Sequence, residues 1–171
     1  MKNFFYTISF VLVFVNLSSA QTEKGTWLLG GNAGFVKPSG APGQLSVTPA
    51  VGYFLLDHFA AGGQVNFLVT KNVSTNKLVS FFSLGPFGRY YFLGDDRGRL
   101  YVSGGLNIGG GTGSKFDTGY NIGAGYAVFL NESISVDLGM HYDKIGSSRG
   151  VFALGAGFQV HFNRLRNSRI E

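Results

Sequence analysis

The chain has 171 residues, 14 Lys+Arg against 9 Asp+Glu, 27 Gly, 17 Phe, 8 Tyr and no Cys, with 44% of residues hydrophobic and 13% charged. That length is one domain, and so low a charge with so much glycine in no Gly-X-Y period excludes a disordered chain, a coiled coil and a collagen. The absence of cysteine excludes disulfide scaffolds, thiolate metal sites, cysteine nucleophiles and a lipoprotein anchor.

Met1-Lys2-Asn3 supplies one positive charge, residues 4–17 are an apolar run, and Ser18-Ser19-Ala20 places small residues before Gln21. This predicts a cleavable secretory signal over residues 1–20, since the run is shorter than the roughly 17–25 residues a membrane helix needs. The mature chain then starts at Gln21, and its basic excess is concentrated in the tail 163–171, with three Arg against one Glu. The remaining cations are scattered, which excludes the basic stripe of a nucleic-acid binder.

Eight segments of about ten residues then alternate apolar and small or polar residues, the period of a strand. The first, 26–35, sets Trp27, Leu29, Ala33 and Phe35 against Gly30, Asn32 and Gly34. The second, 45–55, has Leu45, Val47, Val51, Tyr53 and Leu55 on its apolar side, and the third, 59–69, opposes Phe59, Ala61, Val65, Phe67 and Val69 to Ala60, Gly62, Gln64, Asn66 and Leu68. The fourth, 78–92, carries aromatics in both parities and Pro86 within it, so a bulge or register change is predicted near Gly85-Pro86, and Pro49 raises the same expectation in the second. In the fifth, 100–109, Leu100, Val102, Leu106 and Ile108 oppose Tyr101, Ser103, Gly105 and Asn107; in the sixth, 118–128, Tyr120, Ile122, Ala124, Tyr126 and Val128 oppose Asn121, Gly123, Gly125 and Ala127. The seventh, 133–143, sets Ile134, Val136, Leu138, Met140 and Tyr142 against Ser135, Asp137, Gly139, His141 and Asp143. The eighth, 151–162, sets Phe152, Leu154, Ala156, Phe158, Val160 and Phe162 against Ala153, Gly155, Gly157, Gln159 and His161.

A soluble barrel would turn Lys, Glu, Asp and Arg outward, but this polar set is Gly, Ala, Ser, Asn and Gln, suited to a narrow lumen. The apolar face is therefore read as facing lipid. Ten residues at about 3.3 Å each, tilted by roughly 40°, span on the order of 25 Å, the apolar band of an outer-membrane barrel. Aromatics gather near segment ends as two girdles, Trp27, Tyr53, Phe59, Phe92 and Phe162 toward one rim and Phe35, Tyr120, Tyr142 and Phe152 toward the other. The fold class that follows is an all-β, eight-stranded, antiparallel, up-and-down transmembrane barrel over 21–162, closed so that no edge is left unpaired in hydrocarbon. Periplasmic turns fall at Leu56-Asp57-His58, 93–99 and 129–132, and four short extracellular loops at 36–44, 70–77, 110–117 and 144–150. Their shortness argues against an adhesive or receptor role.

Pro49-Ala50-Val51-Gly52-Tyr53-Phe54, Ala60-Ala61-Gly62 and Gly85-Pro86-Phe87-Gly88-Arg89-Tyr90-Tyr91-Phe92 resemble the outer-membrane β-barrel domain proteins that include the PorT-like group. More distantly, residues 26–162 resemble the small barrels of the outer-membrane protein A and X type. The resemblance implies location and architecture more firmly than activity. The tail after Phe162 departs from the many barrels that end on their terminal aromatic.

Candidate chemistry is sparse. Arg89, Asp137, His141, Asp143 and His161 are the ionisable residues on the lumen face, beside Gln64, Asn66, Asn107, Asn121 and Gln159. Arg89 and Asp137 lie at similar depth counted from their strand ends, which favours a buried, self-neutralising pair over a gate or catalytic dyad. A lipid hydrolase would need a Ser beside a His and a carboxylate, and His141-Tyr142-Asp143 is weak evidence for one. Three histidines, one of them His58 in a turn, make no metal site, and the order Gly113-Ser114-Lys115 is wrong for a phosphate loop. The reading is thus a non-enzymatic outer-membrane barrel with a structural or membrane-integrity role, its lumen filled by side chains and without cofactor. Its partners are membrane lipid and, during biogenesis, periplasmic chaperones and the barrel-assembly machinery. The alternatives are an outer-leaflet lipid-modifying enzyme, a narrow transporter passing small apolar molecules through a lateral opening, and a soluble exported lipocalin-like binding barrel.

Overall fold

The computed structural model describes residues 22–36, 43–71, 77–95, 97–111, 115–146 and 150–163. The segment 1–20 predicted as a signal, the tail from 164 onward and most of the four loops predicted as extracellular lie outside these. Eight strands follow one another: β1 (Thr26–Val36), β2 (Gln44–Leu56), β3 (Phe59–Lys71), β4 (Leu78–Gly94), β5 (Gly98–Gly111), β6 (Asp117–Asn131), β7 (Ile134–Ile145) and β8 (Val151–Asn163). Each pairs antiparallel with the next, and β8 returns to β1 from Thr26↔Asn163 to Phe35↔Leu154, closing the barrel. Closure satisfies the outer ladder groups of β1 and β8, which an open sheet would leave unpaired.

Parity decides which side chains point inward. On β4 the odd residues Ser83, Phe87, Arg89 and Tyr91 are buried, while Leu84 and Tyr90 are exposed. On β7 Ser135 and Asp137 are buried and Leu138 and Met140 exposed; on β8 Gln159 and His161 are buried and Leu154 and Phe158 exposed. The outer wall is therefore an almost unbroken apolar surface, with Leu84 at 50%, Ile108 at 54%, Leu138 at 57% and Leu154 at 70% exposure.

Register is unbroken at both prolines, contrary to the sequence expectation. Toward β5 the pairing lapses at Gly85 and Pro86 but resumes unshifted, Leu84↔Ile108 giving way to Phe87↔Gly105. Toward β3, Val47↔Phe67 and Ala50↔Gln64 likewise bracket Pro49 without a shift. A proline removes one donor on one side of its strand, and well-paired strands absorb that loss without adding a residue. The shifts occur elsewhere, between Phe54 and Leu56, Phe92 and Gly94, and Phe129 and Asn131. In each the unmatched residue is a leucine, Leu55, Leu93 or Leu130, and all three are exposed.

The turns that follow these bulges form the base of the barrel. His58, at φ 68°, accepts Tyr91 N on its carbonyl at 2.8 Å; Arg97 O accepts Phe129 N at 2.9 Å and Ser133 O accepts His161 N at 2.7 Å. Each turn is thereby stapled to the strand that follows its own hairpin. Residues ahead of β1 complete the ring: His58 N donates to Thr22 O at 2.7 Å, Gly25 N to Phe54 O at 2.9 Å and Lys24 N to Asp57 Oδ1 at 2.8 Å.

Candidate functional site

The base half of the lumen is a solid plug. Leu28, Phe54, Ala60, Phe87, Tyr91, Tyr101, Ala127 and Phe129 form its buried apolar core. Phe54 stands 5.8 Å from Tyr91 and 6.0 Å from His161, Phe129 5.4 Å from His161 and Tyr91 5.9 Å from Tyr101, centroid to centroid. These are the contact distances of aromatic packing.

Arg89 and Asp137 meet inside this plug, Nη1 lying 2.5 Å from Oδ2. The two come from β4 and β7 and must reach across the lumen, and their strand neighbours leave the room. Arg89 is flanked by Ala60 and Ser103, Asp137 by Ala127 and Gly157. The guanidinium lies over the Tyr101 ring at 4.3 Å and donates to Tyr91 Oη at 3.3 Å. The Tyr101 hydroxyl in turn needs the cross-strand pair Gly125↔Gly139, because a Cβ at either glycine would come within 2.6 or 2.7 Å of it. Asp137 Oδ1 accepts from Ser135 Oγ at 3.3 Å, and Ser135 Oγ lies 3.3 Å from His161 Nε2. With the hydroxyl proton directed to Asp137, His161 must donate from Nε2. The cation and the anion thus neutralise one another at 5% and 1% exposure, with Arg89 Nε left without a partner in the protein.

Above the plug the lumen is hollow, unlike the fully filled interior expected from the sequence. A chamber of about 70 Å³ is lined by Gln64, Asn66, Asn107, Asn121 and Gln159, with Arg89 in its wall. A wider cup of about 520 Å³ lies above, between Leu68 and Phe81 on one side and His141, Asp143 and Ala153 on the other. Asn66, Ser83, His141 and Asp143 line both spaces and so form the neck between them. His141 Nε2 is 3.5 Å from Asp143 Oδ2, and no serine hydrogen-bonds to His141 among the described residues. The Ser, His and Asp that do converge are Ser135, His161 and Asp137, where the serine rather than the histidine is central and all three are at most 1% exposed. A hydrolytic triad needs a central histidine and access for substrate, and this cluster has neither.

The aromatics form two outer groups. At the base Trp27 meets Tyr53 edge-on at 5.1 Å and stacks on Phe162 at 6.5 Å, and Phe92 stacks on Tyr90 at 6.4 Å. Near the mouth Tyr142 lies 6.2 Å from Tyr120 and 5.0 Å from Phe152. Phe59 is on β3 opposite Tyr90, at the base, and Phe35 is on β1 opposite Leu45, at the mouth. Alternation already sets Tyr101 on the lumen face but does not single out the plug aromatics Phe54, Phe87, Tyr91 and Phe129. For Phe87, Tyr91 and Phe129 the signal was parity, since each shares a face with a residue already placed in the lumen.

Several solved structures have this architecture. Neisserial surface protein A superposes with a TM-score of 0.62 at 19% identity, over 81% of this chain and 98% of that one. The outer membrane protein OprG from Pseudomonas aeruginosa gives 0.59 at 14% identity, over 85% and 100%. The N-terminal β-barrel domain of Pseudomonas aeruginosa OprF gives 0.58 at 19%, over 81% and 98%. No family model and no curated protein matches the sequence. At these identities the likeness is one of fold, that of the eight-stranded outer-membrane barrels.

Proposed function

We propose that the chain is a non-enzymatic outer-membrane barrel that contributes to the structure or integrity of that membrane. The observation that carries this reading is the inversion of the usual soluble pattern: leucines, isoleucines and phenylalanines cover the outer wall, while the arginine–aspartate pair is buried at the centre. Such a wall is costly in water and matched to hydrocarbon. The base, with its short stapled turns, faces the periplasm, and the mouth faces outward. Residues 1–20 act as the export signal, the barrel runs one residue further than the sequence boundary at 162, to Asn163 in β8, and 164–171 follow on the periplasmic side. Periplasmic chaperones and the barrel-assembly machinery deliver it, and the lipid around it is its lasting partner. Within this fold the PorT-like group is the finer placement, resting on the motif from Gly85 to Phe92.

The plug argues against conduction along the barrel axis, because an ion would have to cross packed aromatics and a buried ion pair. A deletion strain tests the role. The reading expects raised permeability to large hydrophobic dyes with unchanged lipid composition, restored by the wild-type gene and by Asp143→Asn. A changed lipid A or phospholipid profile, restored by wild type but not by Asp143→Asn, would instead establish the enzyme.

A further inference from the structure

We infer that the mouth half of the lumen is a blind, water-filled pocket with a built hydration site in its chamber. The plug below is closed by Phe54, Phe87, Tyr91, Tyr101 and Phe129, which offer water little to bind. The chamber above is different in kind. Asn107 Oδ1, both amide atoms of Gln159, Arg89 Nε and Asn66 Oδ1 have no hydrogen-bond partner in the protein, and Asn107, Gln159 and Arg89 are each at least nine-tenths buried. All four residues line the same chamber.

An orphaned buried polar atom carries its desolvation penalty uncompensated, so several around one cavity point to a guest that pairs with them. The guest must accept from Arg89 Nε and from the Gln159 amide nitrogen, and donate to the three amide oxygens. Hydroxyl chemistry does both. A chamber of about 70 Å³ is roomy for water, which needs about 10–15 Å³ and two to four polar partners, and small for a sugar. Water reaches it through the neck of Asn66, Ser83, His141 and Asp143, from the cup of about 520 Å³. A small polyol could occupy the cup but not the chamber.

The native chain lacks cysteine, and serines stand at three depths: Ser83 in the neck, Ser103 in the chamber wall and Ser135 in the plug at 0% exposure. Single Ser→Cys variants are nearly isosteric, and the heat-dependent gel shift of a folded barrel reports whether each has folded. Asn107→Cys and Asn121→Cys serve as replacement probes for the chamber. Treated in detergent with methyl methanethiosulfonate and followed by mass, Ser83→Cys and Ser103→Cys should react at least about 100-fold faster than Ser135→Cys, which waits for local opening. Equal protection of all three would mean a dry lumen, and equal reactivity an aqueous path through the base; either overturns the proposal. The facing of the mouth rests on the orientation proposed above and is read separately, with an impermeant cationic methanethiosulfonate on intact cells. Labelling of Ser83→Cys from outside supports both statements. Labelling in detergent but not on cells would reverse the orientation and leave the pocket standing.

Discussion

Arg89 carries a charge into the plug, where Asp137 neutralises it and Tyr101 covers its face. Removing one member of such a pair leaves the other buried and uncompensated, at a cost of about 3–5 kcal/mol, whereas replacing both with apolar residues is often close to neutral. Arg89→Met and Asp137→Leu should each lower stability by about that amount, and the double variant should recover most of it. Urea unfolding followed by the fluorescence of Trp27, the single tryptophan, measures this cycle. Additive losses in the double variant would show that the two charges are not coupled. The meeting of these residues was legible by counting positions from the two strand ends. Tyr101 was legible too, by alternation on β5, whereas Tyr91 lies in a strand with Phe and Tyr in both parities and is told from Tyr90, outside, only by sharing the parity of Arg89.

At the scale of the element, the hairpins at the base are more regular than their sequences suggest. All three insert one leucine before the turn, and that bulge twists the incoming strand while leaving the leucine on the outer wall. Alternation cannot reveal this, since a one-residue bulge reverses parity just where the strand is ending. The prolines misled for a related reason: a missing donor is visible in a sequence, but the tolerance of the surrounding ladder is not. The turn between β4 and β5 is held by Asp95, whose carboxylate accepts Arg97 N at 2.9 Å and Gly98 N at 3.2 Å. These backbone N–H groups keep its pKa below the ordinary carboxylate value. A depressed folded pKa means that its contribution is present above the unfolded pKa and is lost as pH falls through the folded one. Asp95→Ala should therefore be less stable than wild type near pH 7, with the difference shrinking below about pH 4. A difference independent of pH would show that the carboxylate charge does not hold this turn.

For the whole molecule, strand number, strand order and the facing of both surfaces were all legible in the period-two pattern, because a closed barrel makes every segment obey the same rule. How far the lumen is filled was not legible, since that depends on which large residues share a depth. The plug gathers aromatics from β2, β4, β5 and β6, and the chamber above it is lined largely by smaller polar residues such as Asn66, Ser83, Ser103 and Asn121. Leu138→Arg places a charge at mid-height of β7 on the outer wall, where Leu138 is 57% exposed. In a bilayer this should cost about 2–4 kcal/mol, whereas on a water-facing wall it would stay within about 0.5 kcal/mol. Unfolding from lipid vesicles, compared with wild type, reads the difference.

The central claim, that the apolar wall faces lipid, is tested most directly by separating inner and outer membranes and running the detergent-extracted protein on a gel with and without boiling. The account predicts recovery in the outer-membrane fraction and faster migration of the unheated sample, as a closed barrel that resists detergent would show. Recovery as a soluble periplasmic protein without detergent would contradict it.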